Sequence, residues 1–312
     1  VTTIEDHFAR QIEPYRTEIV AHCYRMLGSA HDAEDVVQET YLRAWRARER
    51  YDDSRSSLRT WMYRIATNAC LTALESGSRR PMPSGLVAES DPRRPLVRGE
   101  EVTWLQPVPD SRVGGVDRGS LRLAFVAALQ YLSAHQRAVL ILRDVLDFSA
   151  AETAEIIGTT VISVNSSLRR ARASVRKAGV PDRISEPTEA EQRAWLERYM
   201  KAFVAADVEG LKRLLAEDVL MEMPPMLNWF AGRENYAIFM DWVFEISGTD
   251  WRVHAVGANG QPAFAAYRGT EDAYRLHTLQ VFTMSPAGIS RNSVFQDDEV
   301  FAVFGLTPEL AR

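Results

Sequence analysis

Apolar residues return every three or four positions through residues 5–77 and again through 120–178, and between the two blocks the rhythm is lost. In the first block Val36, Val37, Thr40, Tyr41, Ala44 and Trp45 share one helical face. Leu58, Trp61, Met62, Ile65, Ala66, Ala69 and Ala73 share another. Gly28-Ser29 predicts a helix stop ahead of the first of these helices, and Asp52-Asp53-Ser54 a loop after it. The second block repeats the helical spacing with Leu123, Val126, Ala127, Leu129, Leu132, Val139, Leu140 and Leu142. Residues 77–119 instead carry Pro81, Pro83, Pro92, Pro95, Pro107 and Pro109, with Gly77, Gly85, Gly99, Gly114 and Gly115. Such a run excludes a continuous helix or a central strand, and at this length it is a linker or a functional segment. Trp104-Leu105 in its middle is a candidate docking point.

After Pro181 and Pro187 a third block begins. Trp195, Tyr199 and Phe203 predict a helix near 189–206, and a second helix is expected at 208–215. Val219 to Met223 reads as a strand, and Gly232 precedes a helix carrying Tyr236, Phe239, Met240, Val243 and Phe244. Strands are expected at 251–257, 262–268, 273–284 and 288–296, separated by Gly, Asn and Pro turns. Helices followed by a run of antiparallel strands imply an α+β domain.

Length changes this picture little: 312 residues exceed one ordinary core, so two or three domains are expected. Charge changes it more. The net charge of −5 hides 12 basic and 12 acidic residues over 1–80, 8 against 4 over 121–180, and 11 against 18 over 189–312. The middle block can approach phosphates and the last would be repelled by them, so any nucleic-acid contact is expected before residue 180. No apolar stretch is long enough to span a bilayer, and the N-terminus shows no basic start leading into an apolar run. A cytoplasmic protein without a membrane partner is the expectation. Cys23 and Cys70 sit in helical patterns and predict small buried residues. His31-Asp32 beside Glu34-Asp35 diverges around a helix, so no metal site and no cofactor are expected.

The sharpest local signal lies at 148–172. Ser149 with Glu152 forms a capping box, and Gly158 ends that helix in a tight turn. A second helix follows, with Val161, Val164, Leu168 and Ala171 expected inward. That leaves Thr160, Ser163, Asn165, Ser166, Ser167, Arg169, Arg170 and Arg172 for a partner. Short polar side chains near the helix start reach base edges, and arginines grip phosphates or guanines. No acidic residue occurs from Ile156 to Pro181. Together these features read as a DNA-binding helix-turn-helix.

Leu132-Ser133-Ala134-His135-Gln136-Arg137-Ala138-Val139-Leu140 followed by this motif resembles the fourth region of sigma-70-type factors. The resemblance implies that the motif reads the −35 promoter element and meets the β flap of RNA polymerase. Asn165 stands where the family usually has Lys and Ser167 where it has Arg, so a different −35 sequence is expected. Tyr24-Arg25-Met26-Leu27-Gly28 and the run from Asp32 to Trp45, with Asp35-x-x-Gln38-Glu39, resemble the family's second region. This implies docking on the polymerase β′ coiled coil through Asp35, Gln38, Glu39 and Arg43.

The helix from Leu58 to Cys70 resembles the element that opens and reads the −10 region. Arg59, Trp61, Arg64 and Asn68 are the candidates there, since flipped bases are held by aromatic faces and polar side chains. Trp61 lies on the apolar face, where a core role competes with stacking. Residues 78–119 take the place of the family's inter-domain linker, which threads toward the polymerase active-site channel. Pro81-x-Pro83-Ser84-Gly85-Leu86 and Trp104-Leu105-x-Pro107-x-Pro109-Asp110 look like the SigG-type branch of the extracytoplasmic-function group.

The C-terminal element order is similar to the SnoaL-type cone of the nuclear-transport-factor-like superfamily, which implies a pocket for a small molecule. Trp229, Trp251, Tyr267 and His277 are candidate wall residues. Glu222, Asp272, Arg275 and His277 carry the ionisable chemistry, yet no spacing singles out a catalytic set. The expected architecture is therefore multidomain, with two all-α domains joined by a long linker and an α+β cone. The boundaries fall at 1–77, 78–119, 120–180 and 189–312. Its expected function is a sigma factor, not an enzyme, with core RNA polymerase and promoter DNA as partners and regulation by the cone. A helix-turn-helix regulator with a small-molecule-sensing domain, or a SnoaL-type isomerase or cyclase, are the alternatives.

Overall fold

A computed structural model of the chain describes residues 4–77, 79–177 and 186–312. It divides into two compact units: the chain up to Arg80 with the stretch from Asp110 through the helix-turn-helix, and Pro81–Pro109 with the C-terminal block. The expected break at Pro181 and the boundary at 180 lie outside the described residues.

The first unit is helical: α1 Ile4–Ile12, α2 Arg16–Leu27, α3 Ala30–Ala47, α4 Leu58–Ser76, α5 Leu123–Leu129, α6 Ala134–Leu140, α7 Ala150–Ile157 and α8 Val161–Lys177. Gly28 adopts the left-handed conformation at φ 71° that ends α2, and the Ser29 side chain then caps α3 by accepting from the Asp32 N–H. Capping boxes start α6 at Ser133–Gln136 and α7 at Ser149–Glu152. Helix α2 is buried on every side from Ile19 to Leu27, His22 and Arg25 included. Val164, Leu168 and Ala171 of α8 are buried as expected. Val161 is not: it shares their side of the helix, but in the first turn it is left 42% exposed.

The second unit runs α9 Glu189–Val204, α10 Val208–Lys212, β1 Leu215–Glu222, β2 Trp229–Ala231, α11 Arg233–Ser247, β3 Trp251–Ala258, β4 Gln261–Gly269, β5 Ala273–Ser285, β6 Gly288–Phe295, α12 Asp298–Val303 and β7 Glu309–Ala311. The strand order is β2-β1-β6-β5-β4-β3, with β7 on the start of β5. The sheet is mixed, because β1 pairs with β6 in parallel while its other pairs are antiparallel. The expected run of antiparallel strands is β3 to β6, and the parallel pair arises where β1, which precedes α11 in the chain, joins that run beside β6. Phe203 of α9 meets Phe244, Trp251 and Phe264 edge-on at 5.3–5.5 Å, and this aromatic knot fills the space between helices and sheet. A smaller cluster on the other face joins Ala265, Tyr267 and Tyr274 to Leu276, Leu306 and Leu310.

Residues 81–109 are packed on this second unit. The Ser90 N–H donates to the Trp229 carbonyl at 3.0 Å, and the Trp229 indole N–H donates to the Val87 carbonyl at 2.9 Å. Leu227 N–H donates to Val97 O at 2.7 Å, Val97 N–H to Asn228 Oδ1 at 2.7 Å and Gly99 N–H to Pro225 O at 2.9 Å. Asn259 accepts the Val108 N–H and returns its own N–H to the Val108 carbonyl, both at 2.9 Å. A Cβ on Gly99 would lie 2.7 Å from the Trp104 ring, so only glycine lets that indole close. Trp104 and Leu105, the candidate docking point, are both buried.

Candidate nucleic-acid interface

Helix α8 presents the face expected of it. Thr160, Ser163, Asn165, Arg169, Arg170 and Arg172 are exposed, and Ser166 and Ser167 are half-buried. Several are already engaged. Thr160 Oγ1 accepts from the Ser163 N–H at 3.2 Å and so caps the helix. Arg170 donates to Ser166 Oγ at 3.0 Å, and Arg172 forms a two-armed pair with Asp144 at 2.7 and 2.8 Å. That hydrogen-bonded carboxylate pushes the Arg172 guanidinium above its ordinary value. Asn165, Arg169, Arg172 and Arg176 line one concavity with Leu168 at its floor. Ile162, 83% exposed, is the residue of this face that helical periodicity missed, because an apolar side chain was not sought outside the core pattern.

On α4, Asn68 is exposed and Arg59 and Arg64 are half-buried; at about 100° per residue Arg64 and Asn68 lie on one side of the helix and Arg59 on the opposite one. Arg59 is held by Glu18 at 3.2 Å and lies over the Phe148 ring at 4.5 Å, while Arg64 pairs with Glu155 of α7 at 3.3 Å. Glu18 also accepts from the Tyr63 hydroxyl at 3.1 Å and had no sequence signal of its own. Trp61 departs from the expected set. It is 5% exposed, with its ring 6.2 Å from Phe8 and 5.2 Å from Tyr51, which makes it a packing residue and not a platform for an unpaired base. Trp61→Ala is therefore expected to cost about 3–5 kcal/mol of stability and Asn68→Ala less than about 0.5 kcal/mol. Denaturant unfolding of the two variants checks this directly.

Helix α3 carries Asp35, Gln38 and Arg43 exposed and Glu39 half-buried. Glu39 accepts from Arg43 at 2.7 Å, and Asp35 lies 3.5 Å from His31. Leu42, 51% exposed between them, adds an apolar centre to this polar surface. Among the described residues no group of three or more His, Cys, Asp or Glu is placed to hold a metal ion.

The four candidate wall residues of the C-terminal unit do not converge. Trp251 and His277 meet with ring centres 5.4 Å apart, and burial with nearby Arg268 pushes the His277 imidazole below its ordinary value. Tyr267 belongs to the cluster on the opposite sheet face, and Trp229 is bonded to Val87. Glu222 is fully buried but alternates with Val219 and Met221, which fill the core. Its carboxylate instead accepts from Arg291 at 2.5 Å and from the Ser84 hydroxyl at 2.7 Å.

Family comparisons agree with these divisions. Residues 11–80 match the model for sigma-70 region 2, residues 122–175 that for sigma-70 region 4, and residues 196–292 that for a SnoaL-like domain. The ECF RNA polymerase sigma factor SigG of Mycobacterium tuberculosis is 46% identical over 97% of this chain and 85% of its own length. SigW of Bacillus subtilis is 30% identical over 55% of this chain and 89% of its own. The crystal structure of the M. tuberculosis extracytoplasmic function sigma factor SigJ shares the fold, with TM-score 0.65 at 21% identity, covering 96% of this chain and all of that one. No helix among the described residues is long and apolar enough to cross a membrane.

Proposed function

We propose, from the premise that this chain belongs to the extracytoplasmic-function family of RNA polymerase sigma factors, that α4 and α8 are its two promoter readers and that its C-terminal unit governs their use. As a member of that family it binds core RNA polymerase and directs promoter-specific initiation; it is not an enzyme. Asn68, Arg59 and Arg64 serve the −10 region, and Ser163 to Arg172 of α8 the −35 element. The α3 surface around Gln38, Leu42 and Arg43 suits the β′ coiled coil, and the helix-turn-helix domain the β flap. Domains at 1–77 and 120–180 carry these tasks, and such work places the protein in the cytoplasm. Trp229, Trp251, Tyr267 and His277 do not converge on one space, so those four residues do not recommend a small-molecule ligand of the cone.

The observation that carries this reading is α8 itself: a helix buried along one stripe whose opposite side holds Asn165, Arg169 and Arg170 with no acidic residue to repel phosphate. Arg59 and Arg64 are occupied by Phe148 and Glu155 in this conformation, so promoter opening requires those contacts to part. Regulation finds support in residues 81–109, which lie on the C-terminal unit and so are withheld from any route into the polymerase.

Combining the full chain with core polymerase on a library of randomised promoters tests the reading. Transcripts starting at a fixed distance from two recovered sequence elements are expected, and a chain that fails to bind core polymerase would end it. Arg169→Ala should weaken promoter binding while lowering the slope of log affinity against log salt by about one unit, the signature of one lost phosphate contact. An unchanged slope would remove Arg169 from the interface.

A further inference from the structure

Val164, Leu168 and Ala171 define the buried stripe of α8, and at about 100° per residue Ile162 points roughly 150° away from its mean direction. Ile162, Ser166, Arg169, Ala173 and Arg176 thus form the outermost ridge of the helix, at spacings of four, three, four and three residues. Ile162 opens that ridge in the first turn, where a recognition helix brings its side chains to base edges. It is the most exposed large apolar residue described, at 83%, on a face otherwise made of Ser, Asn and Arg. Its polar neighbours are partly spent: Thr160 caps the helix and Ser166 accepts from Arg170.

A γ- and δ-methyl surface at that position cannot hydrogen-bond a base or hold a phosphate. One group in the DNA major groove complements it, the thymine C5-methyl, which is matched by apolar side chains. We infer that Ile162 is a specificity-determining residue that reads a thymine methyl in the −35 element. The inference rests on α8 being the −35 reader. It assigns to Ile162 a choice of T·A that Asn165 and Arg169 do not make, since their donors suit purine edges and phosphates. Burying a single methyl against the isoleucine is worth about fourfold in affinity.

The test uses holoenzyme assembled from the full chain and core polymerase, with a promoter recovered from a randomised −35 library. Each thymine of the element is replaced in turn by deoxyuridine, which lacks only the methyl. At one thymine the wild-type holoenzyme is expected to lose about fourfold in binding. Ile162→Ala should lose a similar factor on the unmodified promoter and be indifferent to deoxyuridine at that same position. Asn165→Ala should retain the sensitivity. Because Ile162 is exposed, the alanine variant should unfold at the wild-type temperature, which separates a contact from a folding defect. A wild-type holoenzyme indifferent to every methyl in the element would overturn the inference, as would losses that simply multiply in Ile162→Ala. A library that yields a −10 sequence but no preferred −35 element would overturn instead the assignment of α8 as a reader.

Discussion

Acidification from pH 7 to pH 3.5 is expected to cost the wild-type chain on the order of 4 kcal/mol more folding stability than it costs a His22→Gln variant. His22 lies in the fully buried stretch of α2, with Nε2 3.0 Å from Thr67 Oγ1 and its ring edge-on to Tyr63 at 5.1 Å. Its Nδ1 is buried without a hydrogen-bond partner, so the neutral ring is the form this site accommodates. Burial, then Arg25, then Arg59 push the imidazole down to about 3. In the unfolded chain it titrates near 6.5. Between those two values the unfolded state binds a proton that the folded state refuses. The contribution is therefore complete above pH 6.5 and is lost progressively toward pH 3, at up to about 1.4 kcal/mol per pH unit. Glutamine keeps a polar group within reach of Thr67 but has nothing to protonate. Urea unfolding of both proteins at steps between pH 7 and 3.5 gives the difference, and parallel stability curves would show that His22 is not the group responsible.

Glu222→Ala is expected to remove about 2–3 kcal/mol from the C-terminal unit and to loosen residues 81–109. The carboxylate joins three elements: Arg291 and Ser293 of β6 at 2.5 and 3.5 Å, its own strand β1, and Ser84, which approaches through both hydroxyl and backbone N–H at 2.7 and 3.4 Å. Removing it strands the Arg291 guanidinium and the Ser84 donors at once. Arg291 is 30% exposed, so water recovers part of the loss and keeps the figure below that of a fully enclosed pair. Ser84→Ala, which deletes one donor and leaves the pair with Arg291 intact, should cost about 1 kcal/mol. Amide exchange reports the segment directly. The N–H groups of Ser90, Val97, Gly99 and Val108, each bonded to the C-terminal unit, should exchange faster in Glu222→Ala. Unaltered protection of all four would show that Glu222 does not hold the segment. If the cone restrains initiation by retaining this segment, the same variant should also initiate more readily from its promoter.

Helices were the most legible part of the sequence, because their ends are written in capping residues and their buried faces in spacing. Ser29, Ser149 and Gly158 mark boundaries that the structure keeps. The strands of the cone were legible for a related reason, since β3 to β6 are bounded by turn residues within a few positions of where they were expected. Short elements such as β2 and β7 carried no pattern, being three residues each and fixed only by their partners. Of the site, the polar and basic face of α8 could be read from periodicity. Trp61 could not be decided that way, because a tryptophan suits both a core and a base stack until burial is known.

What the sequence determined by itself was local: helix ends, inward faces, the charge contrast between blocks, and through motif resemblance the two promoter-reading regions. Tertiary structure alone decided which distant residues meet. Proline and glycine in residues 81–109 said only that the segment is neither helix nor central strand, and a tether was the simplest expectation. Its backbone groups nevertheless find partners at Asn228, Trp229 and Asn259, more than 130 positions away. The same holds for Glu222, which strand alternation turned away from the cone and toward Ser84. Periodicity fixes the face a side chain takes, but the group waiting on that face is set by how the chain returns upon itself.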